Sequence, residues 1–424
     1  MKLTLTYYWI LPALAVLGIA SCKKDKYLGY TPGTGAPTIT SVVQINKSVK
    51  DTITQSTTTY SSSGVVTTVV DTNFSHTSIK ALDSATVTGN LGVMYMIKGS
   101  NLGNTTKLTI NGVTVYFNRS WGSDNSLIFT LPTNIPYVQP QSNEIVLTTL
   151  TGKVNYKFTT LPPPPTITQT SDFDFWANSQ ITLTGKGFAS VSDIKLTTTG
   201  DEVTIVSKND STLVLKMPSS STVTESTLSF TYTSGSNTGA KIASSAVFND
   251  LDNAYTIYFN NSFQNSWGDN SWSGPSGSQP GNPHAYGGTN SIEASYPAGA
   301  WQIEGWANWY PSFAYDASYK YLTFWVKGGK ADHTLVLVGD KIVGGYGQVQ
   351  NANAYAAQLV TVPAGVWTFV KIPLSPPSTA FSKTATALNY WATGSPAQQL
   401  GFFLQGMSGD VNETMYFDEV AFVK

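Results

Sequence analysis

The chain is short of charge. Only 12% of its 424 residues are charged, against roughly 25% in an average soluble domain. The formal net charge is −1, from 24 basic and 25 acidic side chains, so the composition points to no electrostatic partner such as nucleic acid. Histidine is scarce, with His76, His284 and His333 alone. A histidine-based catalytic site is therefore poorly supplied, and no Ser/His/Asp set or zinc-like cluster stands out. Cys22 is the single cysteine, which excludes a disulfide framework. The one long apolar run is N-terminal, in MKLTLTYYWILPALAVLGIASC. It is too short for a span and closes on small residues, as a secretory signal does. Ser, Thr, Gly and Asn take the place of charge, and 12% of the chain is aromatic. That balance suits β-rich extracellular modules.

Gly18-Ile19-Ala20-Ser21-Cys22 resembles a bacterial lipobox, which implies a signal peptide over 1–21 and lipidation of Cys22. Lys23-Lys24-Asp25-Lys26 resembles the charged export tags of surface-exposed Bacteroidetes-type lipoproteins. Together they imply an outer-membrane protein that is lipid-anchored and faces the cell exterior. Residues 22–35 read as a flexible tether.

Beyond the tether the chain repeats itself. Pro37-Thr38-Ile39-Thr40 recurs as Pro165-Thr166-Ile167-Thr168, MYMIKGSNL as ITLTGKGF, and LIFTLP as LVLKMP. Gly99 to Pro132 and Gly185 to Pro218 both span 33 residues, the mark of a duplicated domain of about 85 residues. Each copy alternates apolar and polar residues between turn signals, as an antiparallel β-sandwich does. Gly99-Ser100-Asn101-Leu102 and Gly185-Lys186-Gly187-Phe188 resemble the signature of the IPT/TIG family. The expected domains are a first IPT/TIG-like immunoglobulin domain over 36–161 and a second over 162–249. The first copy carries 42 additional residues, roughly Lys47 to Leu91, which read as a long Thr/Val hairpin turning near Ser61-Ser62-Ser63-Gly64. Pro162-Pro163-Pro164-Pro165 predicts a stiff joint, and residues 36–249 a spacer.

From Asp250 the composition shifts, with eight of the eleven Trp beyond 260. Strands are expected at Ala254–Asn260, Ser291–Tyr296, Tyr321–Lys327, His333–Val338, Trp367–Pro373, Leu400–Gln405 and Met415–Phe422, giving a jelly-roll sandwich over 250–424. YFNNSFQNSWGDNSW, Tyr321–Gly329, Trp367–Leu374 and Tyr416–Val420 resemble jelly-roll carbohydrate-binding modules. With the lipobox and the paired sandwiches, the whole resembles a surface glycan-binding lipoprotein of a SusC/SusD-type import system. That resemblance implies non-catalytic capture of a polysaccharide for import and degradation, with the importer complex as partner. It also implies a structural calcium at the ends of the sandwich: Asp418 would serve one end, while Asn260 and Asn261 stand where acidic partners are expected.

Trp301–Tyr321 carries three Trp and four Tyr among Asn, Gln, Glu and Asp. Flat rings stack on the C–H faces of pyranoses, and polar side chains pair with the hydroxyls. The expected platform is Trp306, Trp309 and Tyr310, joined by Tyr390 and Trp391, with Tyr286 and Tyr346 as further candidates. Glu304, Asn308, Asp340 and Gln348 would bind hydroxyls. Trp325 and Trp367 read as core, Trp301 with Ile303 as the start of a strand packing inward, and Trp267, Trp272 and Trp301 itself as either core or binding. Glycoside cleavage needs two carboxylates; Glu293, Glu304, Asp316 and Asp340 are available, but no spacing singles out a pair. The expectation is no enzyme and no cofactor. A jelly-roll lyase or hydrolase, or an adhesin for a protein partner, remains open.

Overall fold

The computed structural model describes residues 33–60, 66–271, 279–282, 286–299, 301–347, 354–405 and 411–424, apart from the side chains of 48–60, 66–77, 279–282 and 405. Cys22, Trp272, His284 and Gln348 lie outside the described residues. The protein is all-β: among the described residues, every regular element is a strand or a short 3-10 turn. No helix there is long and apolar enough to cross a membrane. The chain forms two compact units, one ending at Pro163 and the other starting at Pro164.

The first unit is a sandwich. One sheet orders strands Val66–Thr86, Thr38–Tyr60, Met94–Ser100 and Ser126–Thr130; the other orders Val113–Thr114, Thr105–Ile110, Glu144–Thr149 and Gly152–Lys157. Alternate residues point inward, so Tyr95, Ile97, Leu108, Ile110, Ile145 and Leu147 meet in one core. The expected hairpin is present: Thr38–Tyr60 pairs with Val66–Thr86 as far as Tyr60↔Val66. Met94–Ser100 reaches only the start of this pair, up to Gln44↔Tyr95, so the hairpin runs on as a two-stranded ribbon.

The second unit contains two sandwiches. In the first of these, Thr166–Thr170, Gln180–Lys186, Thr212–Lys216 and Thr204–Lys208 face Asp174–Phe175, Asn237–Asp250, Glu225–Ser234 and Val191–Leu196 across a core of Ile181, Leu183, Leu213, Leu215, Leu228 and Phe230. The repeated glycines now have a cause. A Cβ at Gly99 would lie 1.9 Å from the Thr38 carbonyl oxygen, and one at Gly185 would lie 1.9 Å from that of Thr166. Both copies need a bare backbone where the PTIT strand pairs with the glycine strand at a register shift.

The C-terminal sandwich packs a seven-stranded sheet on a five-stranded one. Ser291–Tyr296, Tyr321–Lys327, His333–Val338 and Trp367–Pro373 form with the bounds expected. The five-stranded sheet orders Gly268–Asp269, Trp301–Ala307, Gln399–Gln405, His333–Val338 and Leu359–Val362. The last strand, Glu413–Val423, buries Met415 and Phe417 in the core, then Val420 and Phe422. The alternation slips by one residue at Asp418–Glu419, where Glu419 takes φ of 49°. This is a bulge, and it re-aims both carboxylates.

Candidate functional site

Strand Trp301–Ala307 has an inverted pattern. Its core-facing side carries Gln302, Glu304 and Trp306, all buried. The Trp306 ring meets Phe402 and Phe417 edge-on, at 5.6 and 5.7 Å between centroids. Gln302 donates to one Glu304 carboxylate oxygen, and Ser271 Oγ donates to the other at 3.0 Å. A buried carboxylate held this way is tolerated because both oxygens are bonded.

The opposite side carries Trp301, Ile303 and Gly305. With Phe403, Val336, Val338 and Ala354 they build a second apolar cluster on the outer face of the five-stranded sheet. Trp301 and Tyr346 are its partly buried rings, packed against the others. Trp301 stands edge-on to Phe403, with centroids 5.3 Å apart and planes at 84°. Gly305 lies opposite Gly401 in the ladder. A Cβ at Gly305 would come 2.3 Å from the Tyr346 hydroxyl, and one at Gly401 would come 2.9 Å from the Tyr346 ring. The paired glycines therefore seat Tyr346 against the sheet, and its hydroxyl donates to the Asn270 carbonyl at 2.9 Å. Burial pushes that hydroxyl well above its ordinary pKa, so it stays a donor. Trp301 lies four residues along the strand from Gly305, about 13 Å at roughly 3.3 Å per residue. Two aromatic positions at that separation suit a ligand several rings long.

The platform expected from sequence divides. Trp309 and Tyr310 are exposed at 59% and 86%, on a turn closed by the cis Tyr310–Pro311 bond. Trp306, Tyr390 and Trp391 are not a surface: all three sit in the main core. Trp391 donates its indole N–H to the Phe313 carbonyl at 3.0 Å, and the Tyr390 hydroxyl donates to the Gln399 carbonyl at 3.1 Å. The loop holding Tyr390 and Trp391 closes the end of the sandwich, which is why two large rings in a Gly/Asn setting point inward. Trp301 and Ile303, read as a strand start packing inward, belong to the outer-face cluster instead, where Ile303 is buried.

Of the polar candidates, Glu304 is buried as described. Asn308 is fully buried; its amide donates to the Tyr255 hydroxyl and the Asn265 carbonyl, and it accepts the Ser312 N–H. Asp340 accepts the N–H groups of Gln398 and Gln399 and pairs with Lys341. All three side chains shape the scaffold. Tyr286 lies elsewhere, stacked on Trp325 at 3.7 Å. Trp325 is buried, but outside the main core: it packs on Phe173 and Phe369 and donates to Asp172 of the preceding sandwich at 3.1 Å. Trp267 is buried, its N–H on the Tyr255 hydroxyl.

The four carboxylates considered for cleavage belong to separate elements. Glu304 is on the five-stranded sheet and Glu293 on the seven-stranded one. Asp316 caps Ser318, and Asp340 caps the strand at Gln399. The calcium set implied at Asp418 does not fit either. Asp418 is filled by the N–H groups of Tyr286, Gly287 and its neighbour Glu419. Asn261 holds the N–H groups of Thr289 and Asn290.

Residues 165–247 match the IPT/TIG domain family. An IPT/TIG domain-containing protein of Bacteroides ovatus is 32% identical over 120 residues, which cover 27% of this chain and 24% of that relative. Among solved structures, the chain is similar to the surface glycan-binding protein PbSGBP-B from Prevotella bryantii. The TM-score is 0.46 and the identity 16%, over 93% of this chain and 99% of that one. It is also similar to SGBP-B from a complex xyloglucan utilization locus in Bacteroides uniformis, with a TM-score of 0.35 and 16% identity, over 79% of this chain and 96% of that one.

Proposed function

We propose that this protein binds a polysaccharide, without cleaving it, on the outer face of the five-stranded sheet. The observation that carries the reading is the inverted strand: polar Gln302 and Glu304 face the core while Trp301, over Phe403, and the seated Tyr346 occupy the outer face. A strand that served only the fold would place its apolar side inward. Trp309 and Tyr310, beyond the end of that strand, add an exposed contact.

Base–aromatic stacking is worth ~1–3 kcal/mol per ring, and sugar stacking is of that order or weaker. Two or three rings, less the cost of association, give binding on the order of micromolar or weaker. The first unit and the second sandwich act as the spacer, and a lipid on Cys22 anchors the protein in the outer membrane beside a SusC/SusD-like importer.

Affinity electrophoresis and calorimetry of the full chain against a polysaccharide panel test this. Retardation on at least one glycan, lost in Trp301→Ala, is expected. A folded protein that no glycan retards contradicts the proposal, as do new reducing ends or unsaturated products after incubation. Incorporation of a labelled fatty acid, abolished in Cys22→Ala, tests the anchor.

A further inference from the structure

Three carboxylates meet where the second and C-terminal sandwiches join. Asp172, Asp174 and Glu419 each bring an oxygen within 4.8 Å of the others, and all three are buried at 8%, 1% and 2% exposure. Two sequence features deliver them. The run Ser171–Phe175, SDFDF, spaces its acids two apart, and Asp174–Phe175 is fixed by a short parallel ladder with Asn249–Asp250. Glu419 is turned toward them by the bulge in the last strand. Gly287 clears the space for its carboxylate: a Cβ there would come 2.1 Å from Glu419 Oε1.

Hydrogen bonds satisfy only part of this cluster. Asp172 Oδ1 accepts the Trp325 indole N–H at 3.1 Å and the Asp174 N–H at 2.9 Å. Asp174 Oδ1 accepts Asn249 Nδ2 at 2.6 Å. Asp174 Oδ2 and Glu419 Oε2 are buried with no hydrogen-bond partner among the described residues. The nearby ammonium of Lys371 bonds Glu225 and Asn249 instead, at 2.8 and 2.9 Å. Asp418, the next acid, is filled by backbone N–H groups. Burial first, and then repulsion from their acidic neighbours, push the Asp174 and Glu419 carboxyls well above the ordinary range. An uncompensated buried carboxylate is strongly destabilising.

We propose that Asp172, Asp174 and Glu419 hold a divalent cation of the calcium type, which fastens the second sandwich to the C-terminal one. The donors are all hard oxygens with no nitrogen or sulfur among them, which selects calcium over zinc or copper. Three carboxylates with water completing the shell suit calcium, whereas magnesium is usually bound by one or two. Two of the acids come from one sandwich and the third from the other, so the ion sets the orientation of the C-terminal sandwich on its neighbour. This site is separate from the proposed glycan face and stands without it.

The test uses the full chain stripped with a chelator. Calcium raises its Tm, and terbium in place of calcium shows emission excited through tryptophan, because Trp325 is bonded to a ligand. Sites in extracellular modules bind with a dissociation constant of about 10⁻⁴–10⁻³ M. Glu419→Gln and Asp174→Asn each weaken binding on the order of tenfold or more. Stripped, folded wild type with neither a calcium-dependent Tm nor sensitised emission overturns the proposal. So does a Tm that rises on acidification but ignores calcium, since protons would then neutralise the cluster. Emission unchanged in both variants also overturns it, by placing the ion elsewhere. Should a variant fail to fold, the wild-type titration decides.

Discussion

The two sides of strand Trp301–Ala307 each carry one tryptophan, and the two rings do opposite work. On the core side, Trp306 is wedged between Phe402 and Phe417 beside a carboxylate satisfied by Gln302 and Ser271. On the outer side, Trp301 keeps part of its ring accessible and Tyr346 rests on two glycines. The two tryptophans are only five positions apart. One can be removed only at the expense of the fold, and the other, in this account, only at the expense of the ligand. Aromatic content alone therefore says little about a binding surface; the side of the sheet decides.

Trp306→Ala leaves a cavity between the sheets and costs about 3–5 kcal/mol of stability, measured by chemical denaturation. Glu304→Ala removes the carboxylate that accepts from the Gln302 amide and from Ser271 and costs ~1–3 kcal/mol, also read by denaturation. Trp301→Ala, in contrast, lowers glycan affinity by about 1–3 kcal/mol, or roughly five- to 150-fold, while its unfolding midpoint moves little. Gly401→Ala pushes on Tyr346 and Ile303; it weakens glycan binding severalfold by calorimetry. The smallest effect is expected at Trp121→Ala in the first unit. Trp121 is exposed and belongs to the first unit, not to the sandwich that carries Trp301, so stability stays within about 0.5 kcal/mol and retardation on glycan gels is unchanged.

Much of the fold was legible in the sequence. Tyr321–Lys327 and His333–Val338 bury most of their length between charged ends and turn residues, and they form as read. The repeated glycines marked a strand pairing that tolerates no Cβ in either copy. The site was less legible, for two physical reasons. WQIEGWA alternates, but with its polar residues inward, so a rule that sends apolar side chains to the core assigns Trp301 and Trp306 to the wrong sides. Tyr390 and Trp391 sit among Asn and Gly, which reads as a loop, yet that loop folds back over the end of the sandwich and buries both. Asn308 and Asp340 looked like hydroxyl partners, but their hydrogen bonds go to backbone and side chains that hold corners of the scaffold. The junction acids gave one signal that could have been used: SDFDF and YFDEV each set acids among aromatic or apolar residues.

The most direct measurement is calorimetric titration of Trp301→Ala and Trp306→Ala with a glycan that retards the wild type, each alongside its unfolding curve. The account predicts a Trp301→Ala protein of near wild-type stability that has lost most of its affinity, and a Trp306→Ala protein that is strongly destabilised. A stable Trp301→Ala protein that binds the glycan as tightly as wild type would contradict it.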